Sequence, residues 1–160
     1  MKHNPGFLKL VDAARARVME CTVAQAKARL DRGEVLHFLD VREDHEFAKD
    51  HAKGARHLGK GIIERDVETC IPNKETAILL YCGGGYRSVL AADALQQMGY
   101  TNVMSIDGGI KGWRDRAIRW RADGTSERPR SHSRWSTNSM ARSGRLLAVR
   151  SIEFLDHLVG

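Results

Sequence analysis

The chain has 160 residues, of which 42% are hydrophobic and 29% charged, and its net charge is +6. This composition is ordinary for one soluble globular domain. No stretch approaches the roughly 18 apolar residues of a membrane-spanning helix, and we expect no signal peptide, because the N-terminus lacks a continuous apolar core and a cleavage site.

The basic residues are interleaved with acidic ones up to about residue 116. We therefore expect no nucleic-acid binding as the main role, although a basic surface would attract small anions. The three cysteines, Cys21, Cys70 and Cys82, are too widely spaced for a disulfide framework or a metal-binding pair. A reducing, cytoplasmic location is the expectation that suits a working thiol.

Two helices are predicted at the start of the chain. The first covers residues 5 to 20, with Asn4 as its cap and Pro5 at its first position. The second begins after Thr22, which has capping-box spacing to Gln25, and ends at Gly33. We assign residues 1–21 to an N-terminal helical extension.

The next segment, residues 35 to 41, is a nearly continuous apolar run, which is typical of a strand buried on both faces of a parallel sheet. The remaining predicted elements are strand 55–58, helix 62–67, strand 76–81, helix 86–98, strand 102–106 and a last helix that carries Ile110 and Trp113. Strands that alternate with helices predict an α/β domain with a mainly parallel sheet.

The end of the chain differs in composition. Residues 124 to 143 contain six serines, four arginines, one acid and no Leu, Ile or Val, so they cannot bury enough apolar surface to order themselves. Apolar residues return between 146 and 158 with the spacing of a short amphipathic helix. We assign residues 121–160 to a basic linker followed by a short amphipathic segment.

One stretch combines several features of a reactive site. The strand at 76–81 ends on Cys82, three glycines follow, and a helix begins after Arg87 and Ser88. Open α/β sheets bind their ligands at this edge. A glycine turn can point successive N–H groups inward, a helix N-terminus carries positive charge, and Arg87 adds a full one. These surroundings favour a reactive thiolate at Cys82 over a buried structural thiol.

The stretch resembles the active-site loop of the rhodanese-like sulfurtransferases, in which four residues separate the cysteine from the arginine. Further stretches resemble that family's motifs, namely Asp40-Val41-Arg42 with Glu46-Phe47, His51 with Gly54-Ala55, and Gly99-Tyr100, Gly108-Gly109 and Trp113. The likeness spans residues 22–120. It implies the family's three-layer α/β fold, with a mainly parallel five-stranded sheet flanked by helices.

The resemblance also implies an activity. Cys82 would take sulfane sulfur from thiosulfate or a persulfide donor and pass it to cyanide or a thiol, with a thioredoxin-like protein as one candidate acceptor. The residues expected to bind the donor and the persulfide are Gly83, Gly84, Gly85, Tyr86, Arg87 and Ser88. Arg87 would bind the anionic donor, Tyr86 would line the mouth of the pocket, and Ser88 would cap the helix and donate to the sulfur. No metal or organic cofactor is expected.

Three residues before the loop are predicted to support the site. Asp40 is expected to accept backbone hydrogen bonds, and Arg42 is expected to pair with Glu46 four residues later. The nearby histidines, His45, His51 and His57, are six residues apart, which does not fit a helical zinc pair.

Two alternatives stay open. Thiol phosphatases and arsenate reductases also place a Cys…Arg loop before a helix, but thiol phosphatases carry five residues between the two. A loop one residue shorter suits a single sulfur atom better than a phosphate group. The other alternative is a binding or regulatory module without turnover. The physiological donor, the acceptor and the oligomeric state are not indicated by the sequence.

Overall fold

A computed structural model describes residues 3–115 and the backbone of residues 120 and 121. Its strands are β1 (Met19–Cys21), β2 (Leu36–Asp40), β3 (His51–Ala52), β4 (Arg56–His57), β5 (Ala77–Tyr81), β6 (Val103–Ile106) and β7 (Trp120–Arg121). Its helices are α1 (Pro5–Arg15), α2 (Val23–Asp31), α3 (Asp44–Lys49), α4 (Ile63–Cys70), α5 (Tyr86–Gln97) and α6 (Gly109–Asp115). The predicted linker and the amphipathic segment after it lie outside the described residues.

Five of the strands form a parallel sheet in the order β1-β6-β5-β2-β4, and β3 pairs with β7 in a small antiparallel sheet. The central strand β5 is buried on both faces, because successive side chains of a strand point to opposite sides. Ile78 and Leu80 face a core that includes residues of α1, α4 and α5. Leu79 and Tyr81 face a second core with residues of α2 and α6. The predicted three-layer α/β fold is confirmed.

The register of the sheet places the functional residues at one edge. Asp40 at the end of β2 lies beside Tyr81 at the end of β5, and Leu80 lies beside Ser105 in β6. Cys82 follows Tyr81 directly and therefore emerges at the carboxyl edge of the central strand, where ligands of such sheets bind.

The predicted first helix is wrong in its second half. Helix α1 ends at Arg15, and residues 19–21 form strand β1, which pairs with β6. Helical periodicity could not reveal this strand, because its backbone hydrogen bonds go to a strand more than eighty residues later. The assignment of residues 1–21 to a separate extension stays a prediction, although β1 within them belongs to the central sheet.

The second helix agrees with its predicted start. The Thr22 hydroxyl accepts a hydrogen bond from the Gln25 N–H at 3.2 Å, and the Gln25 side chain accepts one from the Thr22 N–H at 2.8 Å. Helix α3 was not predicted, since none of its residues is buried and it offers no apolar periodicity. Among residues 3–115, no helix is long and apolar enough to cross a membrane.

Candidate active site

The Cys82 loop turns tightly over its own sulfur. Cys82 is only 2% exposed, and the Gly85 N–H donates a hydrogen bond to its Sγ at 3.2 Å. Gly85 has φ +96°, and a Cβ there would come within 3.2 Å of the Gly108 backbone nitrogen. Any residue with a side chain would be strained and crowded here, so the turn that brings this N–H to the sulfur requires glycine.

Helix α6 holds the loop from behind through the backbone. The Cys82 carbonyl accepts a hydrogen bond from the Ile110 N–H at 2.8 Å, and the Gly83 carbonyl accepts one from Lys111 at 3.3 Å. A Cβ at Gly109 would overlap the Cys82 carbonyl oxygen and lie 3.0 Å from the Gly83 carbonyl carbon. The second glycine of the Gly108-Gly109 motif therefore allows α6 to approach the loop this closely.

Two buried serines lie beneath the sulfur. The Ser88 Oγ lies 3.6 Å from Cys82 Sγ and 3.2 Å from the Gly85 carbonyl oxygen. The Ser105 Oγ in β6 lies 2.9 Å from Ser88 Oγ. The predicted capping role of Ser88 is wrong, because Gly85 is the N-cap of α5 and no side chain caps it. Sequence reasoning missed Ser105, although a hydroxyl between apolar residues of a buried strand was a usable signal.

Arg87 is held by carboxylates on helix α3 and its cap. Its two terminal nitrogens lie 2.5 and 2.8 Å from the two Glu46 oxygens, and Glu43 lies 3.5 Å away. Hydrogen bonds from Arg87 lower the pKa of Glu46 to about 2, and the same bonds raise the pKa of Arg87. The predicted pairing of Arg42 with Glu46 is wrong, because Arg87 occupies this carboxylate.

Arg42 instead bridges two buried aspartates. Its guanidinium donates to the Asp40 carboxylate at 2.7 and 3.0 Å, and its Nη1 lies 3.4 Å from Asp50. Asp40 also accepts the Arg42 backbone N–H at 3.0 Å, as predicted. All three residues are buried. This geometry favours a supporting role at the ends of β2 and α3.

Tyr86 is covered by the N-terminal segment. Its ring centre lies 4.6 Å from that of His3 and 6.2 Å from that of Phe7, and the Arg15 guanidinium lies 5.7 Å from it. The sequence gave no sign of this contact. The role of Tyr86 at the mouth of the pocket stays a prediction.

The histidines after β2 are hydrogen-bonded to the backbone. His51 Nδ1 lies 3.1 Å from the Phe47 carbonyl, and His57 Nε2 lies 2.8 Å from the Arg42 carbonyl. Within residues 3–115, no group of three His, Cys, Asp or Glu side chains is placed to hold a metal ion.

A parallel sheet that presents a cysteine loop of this size to a helix N-terminus defines a class of α/β thiol proteins. The family model described as the rhodanese-like domain matches residues 22–116, and the chain belongs to this family.

Similar proteins carry sulfur-transfer names. The thiosulfate sulfurtransferase GlpE of Tolumonas auensis is 36% identical over 93 residues, which cover 58% of this chain and 85% of that protein. The putative sulfur carrier protein YrkF of Bacillus subtilis is 31% identical, with 60% of this chain covered. The match covers only about half of YrkF, 51% of its length.

Solved structures share the fold. A thiosulfate sulfurtransferase from Pseudomonas aeruginosa gives a TM-score of 0.61 at 31% identity, covering 66% of this chain and 20% of that one. A Rhodopseudomonas palustris protein of unknown function, described as a possible tyrosine phosphatase, gives 0.63 at 25% identity, covering 74% and 96%. Relatives of the family named here are thus sulfurtransferases or sulfur carriers, and one structural neighbour bears a tentative phosphatase description.

Proposed function

We propose that this protein is a thiosulfate sulfurtransferase that carries sulfane sulfur as a persulfide on Cys82. The observation that carries the proposal is the setting of the Cys82 sulfur. It lies at the carboxyl edge of β5, with the Gly85 N–H at 3.2 Å and the Ser88 hydroxyl at 3.6 Å. Both groups can donate to an anionic sulfur, and donors to a charged acceptor form the stronger hydrogen bonds.

The reaction has two steps. The Cys82 thiolate attacks the outer sulfur of thiosulfate, an S–S bond forms, and the bond to the sulfonate sulfur breaks so that sulfite leaves with its electron pair. Cyanide or a thiolate then attacks the outer sulfur of the persulfide, and the Cys82 thiolate is restored. Such covalent, two-step transfer follows ping-pong kinetics.

Arg87 binds the anionic end of the donor in this scheme. Its guanidinium has five N–H groups in a planar fork, and Glu46 takes only the edge formed by the two terminal nitrogens. The N–H groups on the other edge stay available for sulfonate oxygens. The Arg87 side chain is 29% exposed, so a small anion can reach it from solvent.

Loop size supports sulfur transfer over phosphoryl transfer. Only four residues, from Gly83 to Tyr86, separate Cys82 from Arg87, and a transferring phosphoryl group needs donors around three equatorial oxygens. The α6 backbone also ties the Cys82 and Gly83 carbonyls, which opposes widening of the loop. Phosphatase activity is therefore an outcome of the test below and not a second proposal.

We place the reaction in the cytoplasm, where thiols stay reduced; all three cysteines of the chain are free. The acceptor is cyanide or a thiol, with a thioredoxin-like protein as the candidate protein acceptor. Cys21 and Cys70 are poor rivals of Cys82, because burial raises the pKa of both thiols.

The mass of the protein before and after thiosulfate treatment tests the proposal. We expect a gain of one sulfur atom that maps to the Cys82 peptide, is absent in Cys82→Ser, and is retained in the matched control Cys70→Ser. A persulfide on Cys70 that persists in Cys82→Ser would overturn the assignment. The same preparation is then assayed with thiosulfate and cyanide and with an aryl phosphate. Faster turnover of the phosphate ester would contradict the proposed function.

A further inference from the structure

We propose that Ser105 is a positioning residue, which orients the Ser88 hydroxyl so that its proton is available to the sulfur of Cys82. The effect of Ser105 on turnover rests on the proposed function, whereas its effect on the thiol does not. The inference starts from the burial of the two serines, since both are 0% exposed.

Ser105 needs a hydrogen-bond partner inside the protein. A buried hydroxyl without one costs about 1–3 kcal/mol, and Ser105 lies in β6 between apolar neighbours on a sheet that is covered on both faces. Among the described residues, its partner is the Ser88 Oγ at 2.9 Å. The two serines are therefore coupled, although they lie 17 residues apart in the chain.

Counting protons gives the direction of this bond. Each hydroxyl has one proton to donate. Around Ser88 Oγ lie Ser105 Oγ, the Gly85 carbonyl oxygen at 3.2 Å and Cys82 Sγ at 3.6 Å. If Ser88 donated to Ser105, the carbonyl and an ionised sulfur would both lose their donor, and the Ser105 proton would have no acceptor. The consistent arrangement has Ser105 donating to Ser88.

The Ser88 proton can then reach either the Gly85 carbonyl or the sulfur. Gly85 is the N-cap of α5, and the carbonyl of an N-cap residue already accepts the first hydrogen bond of its helix. The thiolate is charged and draws the stronger bond. When Cys82 is ionised, Ser88 therefore donates to it, and the bond from Ser105 polarises Ser88 into a better donor.

This arrangement stabilises negative charge on the sulfur without placing a charged group beneath it. Together with the Gly85 N–H, it gives the buried thiolate donors from the loop and from the sheet. No proton leaves the pair of serines during turnover, so Ser105 acts only through the orientation of Ser88.

The test measures the rate at which iodoacetamide alkylates Cys82 as a function of pH, followed by mass spectrometry of the Cys82 peptide. In Ser105→Ala we expect the pH of half-maximal alkylation to rise by about one unit, the size expected for one lost hydrogen bond to a charged group. We expect kcat/KM with thiosulfate at neutral pH to fall about tenfold, since one pH unit corresponds to that change in thiolate fraction.

A double-mutant cycle separates positioning from packing. In a Ser88→Ala background, Ser105→Ala should change the half-maximal pH little further, because the group through which Ser105 acts is gone. Ser105→Cys, of similar size and with a weaker donor, should shift the pH in the same direction by less, and it serves if the alanine variant does not fold. An unchanged half-maximal pH, or a full shift that persists without Ser88, would overturn the proposal. Alkylation needs no sulfur donor, so the result stands even if thiosulfate proves not to be a substrate.

Discussion

Two arginines in this protein are each bound by two carboxylates, and they differ chiefly in burial. The buried cluster consists of Asp40, Arg42 and Asp50, and the loop cluster consists of Glu43, Glu46 and Arg87. The Arg42 side chain is 3% exposed, and that of Arg87 is 29% exposed. The same chemistry can therefore support a scaffold in one place and prepare a binding site in the other.

The difference lies in what remains for a ligand. Arg42 uses both its terminal nitrogens and its Nε on Asp40, Asp50 and the Asp50 carbonyl oxygen, so its fork is occupied. Arg87 uses only its terminal edge on the glutamates, beside a loop of glycines. A Cβ at Gly83 would come within 3.3 Å of the Arg87 guanidinium, which shows how closely the free loop and this cation approach.

The largest expected effect comes from removing the buried cation. Arg42→Met leaves two buried aspartates without their counterion, and breaking a buried pair in this way costs about 3–5 kcal/mol. Urea denaturation should show this loss in the free energy of unfolding. The matched substitution Arg87→Met should cost no more than about 1 kcal/mol, as expected for a partly exposed pair. Equal losses in the two variants would contradict the distinction between the clusters.

The second prediction concerns the geometry of the Arg87 fork. Arg87→Lys keeps the charge but cannot hold Glu46 and a sulfonate group with two edges at once. We expect kcat/KM for thiosulfate to fall about 10²-fold, or ~2.7 kcal/mol of transition-state stabilisation, with little change in the urea midpoint.

Arg17→Lys is the matched control for this variant. Arg17 holds Asp93 through two hydrogen bonds of 2.8 Å, farther along α5, so it has the same two-point geometry away from the loop. Sulfur transfer by Arg17→Lys should equal that of the unmodified protein. If both lysine variants lose activity equally, the loss reflects the stability of α5 and not the binding of the donor.

The smallest expected effect depends on pH. The pKa of Glu46 lies below its ordinary value of 4.5, at about 2, so its ion pair adds stability above the unfolded pKa and loses it as the pH falls through the folded one. At neutral pH, Glu46→Gln should lower the free energy of unfolding by about 1 kcal/mol. The difference from the unmodified protein should stay flat above about pH 5 and shrink between about pH 4.5 and 2.

Glu43→Gln provides the comparison for this pH series. Glu43 lies 3.5 Å from Arg87 and is 56% exposed, so its substitution should have a smaller effect at every pH. A difference for Glu46→Gln that stays constant down to pH 2, or one that Glu43→Gln reproduces, would show that the pair with Arg87 does not depress the pKa of Glu46.

Local features of the sequence were sufficient for much of the fold. The apolar run of β5, the capping box at Thr22 and the glycine turn after Cys82 act over a few residues, so their geometry follows from the adjacent chain. The spacing of Cys82 and Arg87 likewise lies within one loop, and it indicated the family that the comparisons then showed.

The partners of the charged and polar side chains were decided by the tertiary structure. Local spacing favoured Arg42 with Glu46, but the assembled fold brings Arg87, 41 residues distant, to that carboxylate. The hydrogen bond between Ser105 and Ser88 and the pairing of β1 with β6 also join distant parts of the chain. Each of these contacts depends on which strands and helices become neighbours, because a hydrogen bond needs its two atoms within about 3 Å, and no local pattern specifies that meeting.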